Sequence, residues 1–162
     1  MTEAQKRMKR CCFTGHRPEK LNMDEHTLYT VLKKAINQGI ADGFTTFISG
    51  MARGVYITAA EIVLELKETH SELHLICALP HPNFETRWSE KWQHRYKAVL
   101  ARADLVRTIC PAYERSAYQR RNEWMVDHSA RVIAVYNGKN GGTQNTIAYA
   151  GMKGVQVILA SL

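Results

Sequence analysis

The sequence predicts a single α/β domain, residues 1–162, whose β-sheet is mostly parallel and covered by helices on both faces. Three observations carry that expectation. Short apolar runs alternate with segments of helical periodicity along the chain, most runs end in a loop rich in glycine or proline, and no linker, repeat or low-complexity tract divides the pattern. Parallel neighbours need long crossovers, and helices placed between successive strands supply them. At this length one domain can bury a substantial core, roughly 70% of its unfolded surface.

The elements follow in order. Residues 1–9, with Lys6, Arg7 and Lys9, read as a flexible basic tail that is solvated rather than a binding arm. Cys11 to Thr14 forms the first strand, halted by Gly15-His16-Arg17-Pro18. From Asp24, the residues Leu28, Val31, Leu32, Ala35 and Ile36 recur at the spacing of one buried helical face, and that helix ends near Gly39 or Gly43. A strand at Phe44 to Ser49, a glycine turn and a helix from Gly54 to about Thr69 come next. Leu73 to Leu79 is a strand closed by Pro80, and Trp88, Trp92, Tyr96 and Val99 mark a helix whose aromatic stripe packs into the core. A strand at Asp104 to Ile109, a helix from about Gln119 to His128 and a strand at Arg131 to Tyr136 lead to the glycine-rich loop Gly138 to Gly142. A helix from Thr143 to Met152 and a strand at Val155 to Leu159 complete a Rossmann-like order.

Composition narrows the partners. Lys and Arg number 22 against 15 Asp and Glu, so the formal charge of +7 favours an anion. No apolar run approaches the ~20 residues of a membrane span, and the charged start lacks a signal peptide's apolar core, so the expected location is cytoplasmic. Cys11, Cys12, Cys77 and Cys110 lack the paired spacing of a zinc site and read as buried, reduced thiols. No metal and no required cofactor are expected.

Ligands of an open parallel sheet bind outside the carboxyl ends of its strands, where helix N-termini present free N–H groups. Three loops hold suitable residues there. In the first, Gly15 lets backbone approach a ligand, His16 lies beside it, and Arg17 supplies a phosphate fork. In the second, Ser49-Gly50-Met51-Ala52-Arg53-Gly54, small residues suit a phosphate at a helix N-terminus, although the Gly-Lys-Ser/Thr of a Walker sequence is absent. Tight strand-to-helix packing is the alternative reading of the same glycines, and ligand binding is the favoured one. In the third, Gly141 and Gly142 free the backbone while Thr143 caps the helix or bonds phosphate. Arg121 and Asn122, beside Arg120 and Asp127, either clamp phosphate and sugar or lie on a solvated helix face. His81, Arg87 and Trp88 are placed to wall the site, His81 as a loop histidine rather than a base.

These loops in this order resemble the SLOG superfamily, and within it the DUF1273 or YpsA-like branch. The resemblance rests on TGHRPEKL at Thr14 to Leu21, ISGMARGV at Ile48 to Val55, AAE at Ala59 to Glu61, YQRRNEWMVDHSARVIAVYNG at Tyr118 to Gly138 and GGTQNTIAYA at Gly141 to Ala150. It implies a nucleotide-type ligand and a homo-oligomer. Its relatives include cytokinin-activating phosphoribohydrolases, the DNA-processing protein of transformation, and sensors of NAD-derived or cyclic nucleotide signals in antiviral systems. Two departures bear on chemistry. Tyr56 stands where relatives carry Asp, and Thr146 stands where the phosphoribohydrolases carry their essential Glu, which removes their acid-base group.

The leading expectation is noncatalytic binding of an ADP-ribose-like, cyclic ADP-ribose-like or cyclic nucleotide ligand by a sensor or sequestering protein, in a setting such as phage-bacteria immunity. Gly50 to Gly54 and Gly141 to Thr143 would hold phosphate, Arg17, Arg53 and Arg121 would balance charge, and Asn122 or Asn145 would read sugar or base. The alternatives are a nucleotide or nucleoside-monophosphate hydrolase using other groups, such as Glu61 or Asp127, and single-stranded DNA binding.

Overall fold

The computed structural model describes residues 1–162. Six strands, β1 (Arg10–Gly15), β2 (Thr46–Ser49), β3 (His74–Leu79), β4 (Leu105–Thr108), β5 (Arg131–Val135) and β6 (Gln156–Leu159), form one sheet in the order β4-β3-β2-β1-β5-β6. Every pairing is parallel. Helices α2 (Glu25–Ala41), α3 (Val55–Lys67), α4 (Glu90–Arg102), α5 (Ala117–Asp127) and α6 (Gly142–Met152) connect them.

Strands β1 to β4 add outward in one direction, then the chain returns to place β5 against β1. Right-handed crossovers therefore put α2, α3 and α4 on one face, and α5 and α6 on the other. The reversal opens a crevice between the carboxyl ends of β1 and β5.

The helical periodicity of the second element is realised: Leu28, Val31, Leu32, Ala35 and Ile36 are all buried, and Asp24 caps the helix by accepting from Thr27 N at 2.7 Å. Helix α3 is apolar nearly all round and is buried between its neighbours and the sheet. Arg95 of α4 ties this layer together, with Glu25 of α2 and Glu61 of α3 each at 2.6 Å. All four cysteines are free and buried, and burial pushes the Cys12 and Cys77 thiols up to about 12, so they stay protonated.

Three details differ from the sequence reading. The segment expected as a flexible tail contains a short helix, α1 (Glu3–Arg7), because Thr2 and Gln5 form a reciprocal capping box and Arg10 reaches back to Glu3 at 2.6 Å. Trp88 precedes α4 rather than belonging to its stripe, since Ser89 is the N-cap. The sheet is not covered throughout either: all four residues of the edge strand β4 are exposed. No helix is long and apolar enough to cross a membrane.

Candidate functional site

A cleft of about 450 Å³ lies across the carboxyl edge of the sheet, within the range of roughly 300–1,000 Å³ in which small ligands are buried. Loops from both halves of the fold line it: Gly15, His16, Arg17 and Lys20 after β1, Ala52 and Arg53 after β2, and Asn140 to Thr143 after β5. Arg17, Lys20, Arg53 and Arg121 bring positive charge to it, and no Asp or Glu lines it.

Arg121 is the most constrained of these cations. It is 2% exposed, and its Nη1 donates to Gly50 O at 2.6 Å and its Nε to Asn122 Oδ1 at 2.9 Å. The guanidinium lies between two rings, 5.0 Å from the centroid of Tyr56 and 5.6 Å from that of Tyr118. Burial holds its pKa below the ordinary arginine value, and the groups that oppose this shift are tyrosines rather than carboxylates. The charge is thus desolvated and oriented by neutral acceptors and aromatic faces without being neutralised, an arrangement that an incoming anion stabilises.

Tyr56 builds the floor beneath it. Burial raises its phenol pKa, so the neutral hydroxyl donates to Asn122 Oδ1 at 3.1 Å. Asn122 Oδ1 accepts from Arg121 and Tyr56 together, which fixes the amide orientation with Nδ2 as its donating side.

The N-terminus of α6 forms the opposite end. Gly141, at φ 146°, precedes the helix without a side-chain cap, and the first helical bond runs from Asn145 N to Gly141 O. The N–H groups of Gly142, Thr143 and Gln144 therefore lack intrahelical partners at the positive end of the helix dipole. A Cβ at Gly141 or Gly142 would meet nothing within 4 Å. Backbone is openly approachable here.

The second loop works differently. Ser49, Gly50, Met51 and Gly54 do not line the cleft. Ser49 Oγ donates to Tyr56 O at 2.7 Å and accepts from Met51 N at 3.2 Å, holding Met51 at φ 63° with its side chain fully buried. Gly50 is small because the Arg121 side chain packs 2.9 Å from where a Cβ would stand, and Gly54, at φ 88°, faces His16 O and Pro18. Ala52 and Arg53 alone of this loop reach the cleft, and its glycines, expected to cradle phosphate, instead support Arg121 and the α3 N-terminus. In the first loop, Gly15 lines the cleft, but its missing side chain is explained by Val55, 2.4 Å from a would-be Cβ.

His16 ties two loops together. Its Nε2 accepts from Asn137 N at 3.1 Å, and desolvation followed by the charge of Lys20 lowers its pKa, so the neutral imidazole is favoured. Arg53 pairs with Glu19 of the first loop. Asn145, expected to read a sugar or base, is exposed on α6 and lies outside the cleft. The catalytic alternatives are also elsewhere: Glu61 is bound to Arg95, and Asp127 accepts from Tyr149 Oη at 2.7 Å. Thr146, at the position of the phosphoribohydrolase Glu, donates its Oγ1 hydrogen to Gly142 O at 2.8 Å.

Sequence reasoning missed Lys20, Phe84, Tyr118 and Asn140 as lining residues, and took Tyr56 only as a departure from relatives. Tyr118 had a signal, since it stands three residues before Arg121 and so shares its helical face. Trp88 lines the cleft as expected, whereas His81 is buried behind it and Arg87 does not reach it.

Comparison with known proteins agrees with this frame. The chain is 31% identical over 144 residues to the UPF0398 protein BH1768 of Halalkalibacterium halodurans, covering 84% of this chain and 76% of that one. It is 34% identical over 116 residues to the SPbeta prophage-derived protein YoqJ of Bacillus subtilis, covering 64% and 68%. Among solved structures, DNA processing protein A of Streptococcus pneumoniae superposes with a TM-score of 0.68 at 16% identity, over 94% of this chain. This chain spans 50% of the pneumococcal protein's length. The Helicobacter pylori protein, whose structure addresses single-stranded DNA binding, gives 0.65 at 13% identity, with coverage of 97% and 66%. These likenesses establish the fold. With residues 11–156 matching the YspA SLOG family, the chain belongs to that family.

Proposed function

We propose that the cleft binds a nucleotide-derived anion without turning it over, as a sensor or a sequestering protein does. The observation that carries this reading is Arg121, a buried guanidinium lining a cleft that has no carboxylate of its own. Arg17, Lys20 and the open N-terminus of α6 add attraction from the other side, where charge-assisted bonds to phosphate are strongest. The same lining supports the noncatalytic reading: it carries no carboxylate for acid-base work, and the His16 imidazole is engaged in a bond to Asn137 N.

Titration calorimetry with ADP, ADP-ribose and a cyclic dinucleotide tests this, with chromatography of each compound after incubation. At least one should bind and be recovered intact, and Arg121→Met should weaken it about 100-fold, the cost of losing a charge-assisted pair of about 3 kcal/mol. Failure of all three to bind, or their hydrolysis, overturns the proposal.

The net charge of +7 and the fold shared with a single-stranded DNA binder favour a second reading, nucleic-acid binding. Its signature is a steep loss of oligonucleotide affinity with salt, set by the number of phosphates neutralised. A gel shift that disappears near physiological salt, while ADP-ribose still binds, removes it.

A further inference from the structure

The cleft has an apolar end that anion binding alone does not use. Phe84 and Trp88, from the connection between β3 and α4, and Tyr118, at the start of α5, line it together. Their rings meet edge to face, Phe84 at 5.3 Å from Trp88 and 6.4 Å from Tyr118. Two buried rings back them: Tyr96 stands 5.6 Å from Phe84 and 5.5 Å from Trp88, and His81 stands 5.8 Å from Tyr118. The front rings are partly exposed while the backing rings are not, so the wall is held rigid with its apolar surface presented to the cleft.

Sheet order gives this end a direction. The wall stands on loops after β3 and β4, whereas Arg17, Lys20 and the N-terminus of α6 stand after β1 and β5. From β3 across β2 and β1 to β5 is three strand spacings, about 14 Å. Arg121 lies between, bonded to Gly50 above β2 and touching the Tyr118 ring. A free phosphate would leave the aromatic wall uncovered, and an uncharged ring would leave Arg121 uncompensated.

Resting on the reading of the cleft as an anion site, we infer that Phe84, Trp88 and Tyr118 seat the planar base of a nucleoside diphosphate or its ester. The ligand then lies in one orientation, with the base toward β3 and β4 and the diphosphate running past Arg121 to the N-terminus of α6. Base stacking makes Phe84 and Trp88 determinants of selectivity for nucleotides over simple phosphates.

Calorimetry with ADP and with inorganic pyrophosphate, on the native chain and on Phe84→Leu and Trp88→Leu, whose rings line the cleft away from Arg121, separates the two ideas. ADP should bind at least tenfold more tightly than pyrophosphate, and each variant should lose about tenfold for ADP while keeping its pyrophosphate affinity. ADP should also quench tryptophan fluorescence in the native chain and much less in Trp88→Leu, with Trp88→Phe restoring affinity as a control for folding. Equal binding of ADP and pyrophosphate, or variants that weaken both alike, overturns the base seat and leaves the anion site standing. If neither compound binds, the anion site fails, and the base seat with it.

Discussion

The glycines at the carboxyl ends of β1 and β2 and those after β5 look alike in the sequence, each group at a strand-to-helix junction, yet their surroundings are opposite. A Cβ at Gly15 would lie 2.4 Å from Val55, and one at Gly50 would lie 2.9 Å from the Arg121 guanidinium. At Gly142 it would meet nothing within 4 Å. The first group lets protein approach protein, so that α3 and Arg121 can be held close to the sheet. The second leaves room for a molecule from outside. A glycine-rich loop therefore announces close approach without saying what approaches.

Substitutions at these positions can break that contrast. Gly15→Ala should have the largest effect on folding, a loss of about 3 kcal/mol in denaturant unfolding, because the nearest atoms belong to the stiff, fully buried Val55. A loss below ~1 kcal/mol would show that β1 and α3 separate easily. Gly50→Ala should cost less, about 1–2 kcal/mol, since the Arg121 side chain can yield, but ADP affinity should fall at least tenfold as the guanidinium is displaced. Calorimetry that finds affinity unchanged would detach Gly50 from the site. Gly142→Ala should leave stability within about 0.5 kcal/mol, or raise it slightly, because Ala suits a helix better than Gly. Pyrophosphate binding should nonetheless weaken severalfold if the ligand approaches that backbone.

The smallest effect concerns pH. His16 has its pKa lowered from 6.5 in the folded chain, so above 6.5 both folded and unfolded chains carry it neutral and its contribution is fully present. As pH falls below 6.5 the unfolded chain takes up the proton first, and stability declines until the folded-state pKa is passed. Unfolding curves between pH 7.5 and about 5 should show this decline reduced in His16→Gln, which keeps an acceptor for Asn137 N but does not titrate. An identical decline in both proteins would place the pH dependence elsewhere.

Much of this architecture was legible locally. The spacing of Leu28, Val31, Leu32, Ala35 and Ile36 specifies the buried face of α2 because helical periodicity repeats within a few residues. Arg17, Arg53 and Thr143 are placed at the carboxyl edge by their loops and line the cleft, while Arg121 and Asn122, which the sequence leaves open between a phosphate clamp and a solvated helix face, are buried in α5 and line it too. Asn145 faces away because it follows the cleft-lining Thr143 by two residues, a rotation of about 200° around the α6 axis. Phe84 carried no signal at all, since it lies in an irregular connection where no period relates one side chain to the next.

By itself the sequence determined the alternation of elements, the parallel crossovers and the set of loops at the carboxyl edge, all consequences of short-range pattern and chain reach. Only the tertiary structure decided that β5 returns beside β1, that Arg121 sits between Tyr56 and Tyr118 on the Gly50 carbonyl, and which glycines face open space. Those facts join residues far apart in the chain, Gly50 and Arg121 among them, and no local preference encodes a contact until the sheet order brings its two sides together.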